Sequence, residues 1–479
     1  MTDTSRAARP ALIETRSIDW VPEEERTGKV WHQAPLWFLG NFQYFSVAVG
    51  FIGPSLGLSL GATILASVLG ICIGTVFMAF HASQGPTMGL PQLLQSRAQF
   101  GYRGVVVPLF AALFTYLAFT IVTIVLLSEG MNSVFGMNPF LVALVGTALA
   151  AVLAIFGHDS VHKAFRILLY ISVPLVAIVT VGIFTGAAAG DAAPVSAPSG
   201  FTWAAFLAQV AACAAYNIIY APYVSDYSRY LPSKTPAWKV ITSVFFGAAG
   251  SAIWLIALGA WLAIRLGSTD GLAGLQLAGN NVFPRLGSIT ALASAAALLG
   301  SAGMSLYGAM LVVLTAIDSF RPVKPTQTHR VVAVVALAAA CFVVSQVIPS
   351  DAVGVVSLGL TLMLYLLVPW TAVNLVDFFF VRRGHYAIAQ LFSPRGIYGA
   401  WSWRGLLAYG VGLLAEIPFM VLGELQGPVA AALGGIDLAW LVGLVVAGAL
   451  YVVLARSIDV AGEQRTAAER GELVTTSAL

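Results

Sequence analysis

Trp37-Phe38-Leu39-Gly40-Asn41-Phe42-Gln43-Tyr44-Phe45-Ser46, running on to Gly50, Gly53 and Pro54, lies in the middle of the chain's first long apolar run. Polar side chains beside a glycine, inside a segment long enough to cross a bilayer, predict an interrupted helix. A second interruption is predicted at Ala214-Ala215-Tyr216-Asn217-Ile218-Ile219-Tyr220-Ala221-Pro222. There Pro222 lacks an N–H and collides with the carbonyl of Ile218, so the helix is expected to open around Tyr216–Ile218. Irregular backbone at membrane depth is tolerated only where protein buries it or it lines a water-filled cavity. The bland alternative makes Asn41 and Gln43 interhelical glue and Pro222 a tolerated kink.

Working outward, twelve apolar runs follow one another. They lie near 30–58, 62–80, 105–127, 139–156, 167–186, 203–223, 240–264, 289–317, 331–347, 353–373, 406–422 and 438–454. Each is close to or beyond the ~17–25 residues that cross a hydrocarbon core. The interrupted runs are the first and the sixth, five apart, as a five-plus-five inverted repeat requires. Every lysine and arginine except Arg265 and Arg285 falls in the two tails or in the even-numbered connections. Basic residues accumulate on the cytoplasmic side, so both termini are expected in the cytoplasm of a multi-pass protein of the cell (plasma or inner) membrane. The division is then an N-terminal tail (1–29), a first repeat (30–186), an external loop (187–200), a second repeat (201–373), a cytoplasmic loop (374–405), two further helices (406–455) and a C-terminal tail (456–479).

Composition narrows the function. Hydrophobic residues make up 59% and charged residues 9% of the 479-residue chain, whose net charge is +3. A soluble domain carries about a quarter charged residues. The small positive excess belongs to the loops, which argues against a nucleic-acid partner. The first 29 residues are polar and show no cleavable signal. Cys72, Cys213 and Cys341 all fall inside spans and read as packing residues. Metal-ligand spacings, a phosphate loop and a nucleophile elbow are missing from the sequence, so an enzyme is not expected.

Four loop motifs carry a resemblance. Gly85-Pro-Thr-Met-Gly-Leu-Pro91-Gln-Leu-Leu-Gln-Ser96-Arg97-Ala-Gln-Phe100-Gly101-Tyr-Arg-Gly104 resembles the cytoplasmic loop of nucleobase–cation symporters, the NCS1 family. Ser225-Asp226-Tyr227-Ser228-Arg229-Tyr230, Asn374-Leu-Val-Asp377-Phe-Phe-Phe-Val-Arg382-Arg-Gly-His-Tyr386 and Tyr398-Gly-Ala-Trp401-Ser-Trp403-Arg404-Gly405 are similar to the family's later loops. The match spans about residues 19–455 and is nearest the purine–cytosine permease branch. It implies an all-α integral membrane protein of the leucine-transporter type, with twelve transmembrane helices. Two inverted five-helix repeats would contain broken helices 1 and 6, and two peripheral C-terminal helices would follow. The implied activity is cation symport of a planar heterocycle (purine, pyrimidine, hydantoin, allantoin or a vitamin-like ring) by alternating access. The motifs themselves read as structural or gating elements, with Asp226 and Arg229 one helical turn apart.

The resemblance also implies site residues. The family's stacking position on span three falls on Phe119, with Thr123 one turn on. Its second stacking position falls on Asn217, flanked by Tyr216 and Tyr220. A flat heterocycle needs aromatic faces and a few fixed polar groups; Phe119, Tyr216 and Tyr220 could supply faces, and Asn41, Gln43, Thr123, Asn217 and Ser305 polar edges. Span eight departs from the cytosine permeases, since Gly300-Ser301 replaces a threonine pair and Ala302-Gly303 replaces Asn-Asp. A cation site would therefore be thinned to Ser301 and carbonyls between Gly40 and Tyr44, which favours protons over sodium and disfavours cytosine. Glu416, the one carboxylate clearly inside a span, either carries a coupling proton or serves donors freed by Pro418. No cofactor beyond a coupling ion, Na⁺ or H⁺, is expected; the oligomeric state is left open. The competing class, a membrane sensor or channel, would need an output domain or a continuous polar stripe. Neither is legible.

Overall fold

The computed structural model describes residues 19–156, 158–190, 200–321, 326–348, 351–471 and 473–475. Arg6, Arg9, Arg16 and Lys324 of the charge pattern lie outside them. Among the described residues, eight helices are long and apolar enough to cross a membrane, and up to ten when each sharply bent pair is counted as one span.

Span one is broken where the sequence predicts. Val30–Asn41 and Tyr44–Ser55 meet at 63° across Phe42 and Gln43. The cause is local: Gln43 adopts extended backbone, at φ −146° and ψ 165°, so the helical ladder stops. Ser46 then donates its hydroxyl to the carbonyl of Asn41, which also accepts the Gln43 N–H at 2.9 Å.

Span six departs from expectation. Trp203–Ile218 is helical to its end, and the chain resumes as Ala221–Ser228. The ladder is disturbed only at Ile219 and Tyr220, after Tyr216, Asn217 and Ile218 rather than at them, and Trp203–Ser228 runs on as one span without the sharp bend of span one. Ile219 still bonds back to Ala215, and Tyr220 tightens onto Asn217 at 3.3 Å. Pro222 sits in the first turn of the second piece, where a missing N–H costs nothing because first-turn donors have no helical partner. The proline restarts the helix instead of opening the turn before it.

Numbered by the apolar runs in which they fall, the other helices are Leu60–Ala82, Val106–Phe135, Pro139–Phe156 and His158–Phe184 (two to five), then Ala237–Arg265, Leu286–Asp318, Gln327–Ser345 and Ala352–Val376 (seven to ten). Span eleven is shorter than its apolar run. Its helix, Trp403–Glu416, ends before Pro418, and Val421–Leu422 turns back in a hairpin with Leu425–Gln426. Span twelve is Ala439–Ala455. A helix at Gly271–Val282 fills the connection between spans seven and eight, its first turn capped by Asp270, which accepts from the Ala273 N–H at 2.7 Å.

Packing is reciprocal between the two halves. Span one lies on span seven as span six lies on span two; span four touches span eight as span nine touches span three; span five touches span eight as span ten touches span three. Each statement turns into its partner when five is added or subtracted, which is the contact signature of a five-plus-five repeat. Glycines set the closest approaches. A side chain at Gly74 would strike the Ala214 carbonyl of span six, and one at Gly247 or Gly259 would strike Ala34 or Val47 of span one. Small residues let helix backbones meet where lipid supplies no hydrophobic drive.

At the end bearing the basic loops, the four motifs of the resemblance dock on one another. Tyr102 and Arg103 donate backbone N–H groups to the carbonyls of Gly399 and Ala400, and Ser402 donates to Phe100. Asp226 accepts from the Gln92 N–H at 2.9 Å. Arg97 reaches Asp318 at 3.0 Å. Arg382 is clamped between Asp377 and Glu463 of the C-terminal helix Val460–Glu469. Burial alone would depress the Arg382 guanidinium, but those carboxylates hold it well above its ordinary value.

Candidate functional site

The two interruptions face each other in the centre of the fold, and their amides interlock. Asn41 Nδ2 donates to Asn217 Oδ1 at 2.8 Å and to the Ala248 carbonyl of span seven at 3.0 Å. Asn217 Nδ2 in turn donates to Thr75 Oγ1 of span two at 2.5 Å. Gln43 Nε2 faces the Gly40 carbonyl at 3.3 Å and the hydroxyls of Tyr216 and Tyr220, each at 3.4 Å. Tyr220 donates to the same Gly40 carbonyl at 3.0 Å, and the Ser46 and Tyr216 hydroxyls are paired at 2.6 Å.

These bonds fix which way the amides point. A backbone carbonyl can only accept, so Ala248 pins the Asn41 amino group and Gly40 pins that of Gln43. What is left over on each side chain is an oxygen. Asn41 Oδ1, Gln43 Oε1 and Thr123 Oγ1 are all buried and have no hydrogen-bond partner among the described residues. Buried polar groups are ordinarily satisfied, and leaving one unmade costs about 1–3 kcal/mol. The site keeps acceptors in reserve.

Aromatic faces border them. Phe119 is stacked on Phe45 with centroids 4.8 Å apart and planes 12° apart; Phe45 is stacked on Tyr216 at 5.6 Å and 21°. Trp37 meets Tyr220 edge-on at 5.7 Å. All of these rings are buried, Tyr216 completely and Phe119 to within 4%, so this conformation is closed around the site.

Of the residues expected from sequence, Asn41, Gln43, Tyr216, Asn217 and Tyr220 form one hydrogen-bonded cluster, and Phe119 joins it through Phe45. Thr123 is buried one turn beyond Phe119 on span three. Ser301 and Ser305 are buried on span eight, where Ser301 turns its hydroxyl back to the Ala297 carbonyl at 3.4 Å. The Gly40 carbonyl is held by Tyr220 and Gln43. Tyr44 sends its hydroxyl to Asp270 at 2.9 Å. Glu416 lies apart, buried against Gly443 of span twelve, with both carboxyl oxygens lacking hydrogen-bond partners among the described residues.

Four participants escaped the sequence reading: Phe45, Ser46, Thr75 and the Ala248 carbonyl. Ser46 was recoverable from its place one turn past a break. The Gly70-x-x-x-Gly74 spacing of span two marks the close approach that carries Thr75 to Asn217. Phe45 left no signal, being one phenylalanine among 27.

Comparison with known proteins places this geometry. Residues 20–443 match the model of a family described as permease for cytosine/purines, uracil, thiamine, allantoin. The Bacillus subtilis (strain 168) protein named "Putative purine-cytosine permease YxlA" is 36% identical over 450 residues, 92% of this chain and 96% of its own. The purine-cytosine permease FCY21 of Saccharomyces cerevisiae is 25% identical over 269 residues, 54% of this chain and 50% of its own. Among solved structures, the nucleobase-cation-symport-1 family transporter Mhp1, closed with bromovinylhydantoin bound, superposes with a TM-score of 0.69. That match is at 19% identity over 96% of this chain and 99% of Mhp1. The likeness shows the shared fold, the leucine-transporter-type arrangement that the interrupted spans one and six imply.

Proposed function

Since the chain belongs to the family of cytosine, purine, uracil, thiamine and allantoin permeases, we propose that it moves a planar heterocycle bearing at least two N–H donors across the cell membrane. It does so by alternating access with a co-transported cation, and both of its termini lie in the cytoplasm. The observation that carries the substrate class is the set of spare acceptors at Gln43 and Thr123, bordered by the rings of Phe119 and Tyr216. The amino groups of Asn41, Gln43 and Asn217 are already spent on protein oxygens. At Gln43 a ligand is therefore read by what it donates, while the Thr123 hydroxyl can accept or donate. Purines, pyrimidines and hydantoins offer ring or exocyclic N–H groups on one edge and a π-face for stacking. Gly303 of span eight packs on Ala150 and Leu153 of span four, so the reading falls on spans one, three and six.

For the cation, the sequence of span eight supports protons over sodium, since Ser301 stands there without a second hydroxyl. The basic loops support a cytoplasmic position for both tails, because they gather at one end of the bundle. The test is binding to purified protein of adenine, guanine, uracil, cytosine and hydantoin, each beside its N-methylated analogue. Methylation of a read N–H leaves a buried acceptor unmade and is expected to cost about 1–3 kcal/mol. Equal binding of methylated and unmethylated ligands would overturn the donor reading.

A further inference from the structure

Phe45 has a place in the site that no expectation assigned to it. It is the second residue of the half-helix that restarts after the break in span one, and it is fully buried. Its ring is parallel, within about 20°, to both Phe119 on span three and Tyr216 on span six. Spacings of 4.8 Å and 5.6 Å are those of offset-stacked rings. Three rings from three spans thus form one run with Phe45 in the middle. The polar groups around it are provided for differently: Gln43 and Thr123 keep unpartnered oxygens, while the aromatic faces of Phe119 and Tyr216 are taken up by Phe45.

From this we infer that Phe45 is a built-in surrogate for the substrate ring. It stacks in the closed protein where a planar ligand stacks in the loaded one, and it must swing aside for the ligand to bind. A phenyl ring matches the shape and π-face of a heterocycle but has no polar edge, so it satisfies the faces and leaves the edge acceptors waiting. A heterocycle displaces it because it does both. Phe45 therefore sets the affinity threshold, which a ligand that only stacks does not pass and one whose N–H groups also reach the Gln43 and Thr123 oxygens does. The hinge is available next door, since Gln43 is already extended and Phe42 lies outside both helical pieces. This inference rests on the transport reading above.

The experiment compares wild type with Phe45→Ala, Phe45→Leu, Phe119→Ala and, as a control, Phe42→Ala. Phe42 belongs to the same break but packs on Trp254 and Phe38. Each protein is purified, checked for monodispersity, and titrated with the base that wild type binds best and with an aromatic compound of the same size lacking N–H groups. Removing the internal competitor relieves one stacking contact that the ligand must displace. Affinity in Phe45→Ala is expected to rise about 3–10-fold. Phe45→Leu, which keeps volume and loses the π-face, should show a smaller rise in the same direction. The compound without N–H groups should gain by about the same factor as the base, because displacing Phe45 costs every ligand the same free energy. Phe119→Ala should weaken both, and Phe42→Ala should change neither. If Phe45→Ala and Phe45→Leu weaken binding as Phe119→Ala does, Phe45 is a face of the ligand site and the inference is wrong. Unchanged affinity in both would overturn it equally. Failure of wild type itself to bind any base would instead sink the transport reading, so the two failures are told apart.

Discussion

Replacing Asn217 with alanine removes two buried hydrogen bonds that join three spans. One is the 2.8 Å bond from Asn41 of span one; the other runs to Thr75 of span two. Side-chain hydrogen bonds inside membrane proteins average about 0.6 kcal/mol and reach about 1.7 kcal/mol, so the pair contributes about 1.2 kcal/mol and at most about 3.4 kcal/mol. Both partners have a second bond to fall back on. Asn41 keeps the Ala248 carbonyl, and the Thr75 hydroxyl keeps the Ile71 carbonyl. Neither is orphaned, so the expected loss sits at about 1–2 kcal/mol, and the variant stays folded. The measurement is a double-mutant cycle of Asn41→Ala and Asn217→Ala, read by detergent-induced unfolding. A bridge across the two interruptions gives a coupling of about 0.6 kcal/mol or more, whereas independent sites add within about 0.3–0.5 kcal/mol. Losses that simply add would refute the reasoning and return Asn217 to a role as a separate ligand contact.

Phe119→Ala is expected to weaken binding of the base by about 0.5–1.5 kcal/mol beyond the buried area lost, and Thr123→Val by about 1–3 kcal/mol; full affinity in both, by equilibrium binding, would place the ligand elsewhere. Uptake into proteoliposomes should follow the pH gradient and fall in Glu416→Gln if that carboxyl carries the proton. A tenfold tighter binding on replacing potassium with sodium, abolished in Ser301→Ala, would reverse the ion assignment. Gly74→Val should abolish transport and lower expression, because its side chain meets the Ala214 backbone; wild-type uptake would mean that spans two and six are looser than their packing. For orientation, Ala187→Cys should react with an impermeant thiol reagent added outside intact cells, and Lys234→Cys only after permeabilisation. The opposite pattern would invert the topology.

The membrane class and the break in span one were legible in the sequence because each depends on local chemistry. Apolar length, the alternation of basic loops, and glycine beside polar residues are properties of short windows. The family followed from four loop motifs for the same reason, and the structure shows those loops bonded to one another. Span six was half legible: Pro222 marked an interruption correctly but put it at Tyr216–Ile218, since a proline reads identically as the end of one helix and the first turn of the next. Span eleven was overestimated because hydropathy counted through Pro418 into residues that fold as a hairpin. What only the tertiary structure decided is who partners whom in the centre. Asn41 and Asn217 are 176 residues apart, and nothing near either one specifies that the two amides meet, or that the Asn41 oxygen rather than its amino group is left over. The position of Phe45 between Phe119 and Tyr216 likewise depends on three helices arriving at one point. A window of sequence records what a residue can do; the packing of distant helices settles which of those things it is still free to do.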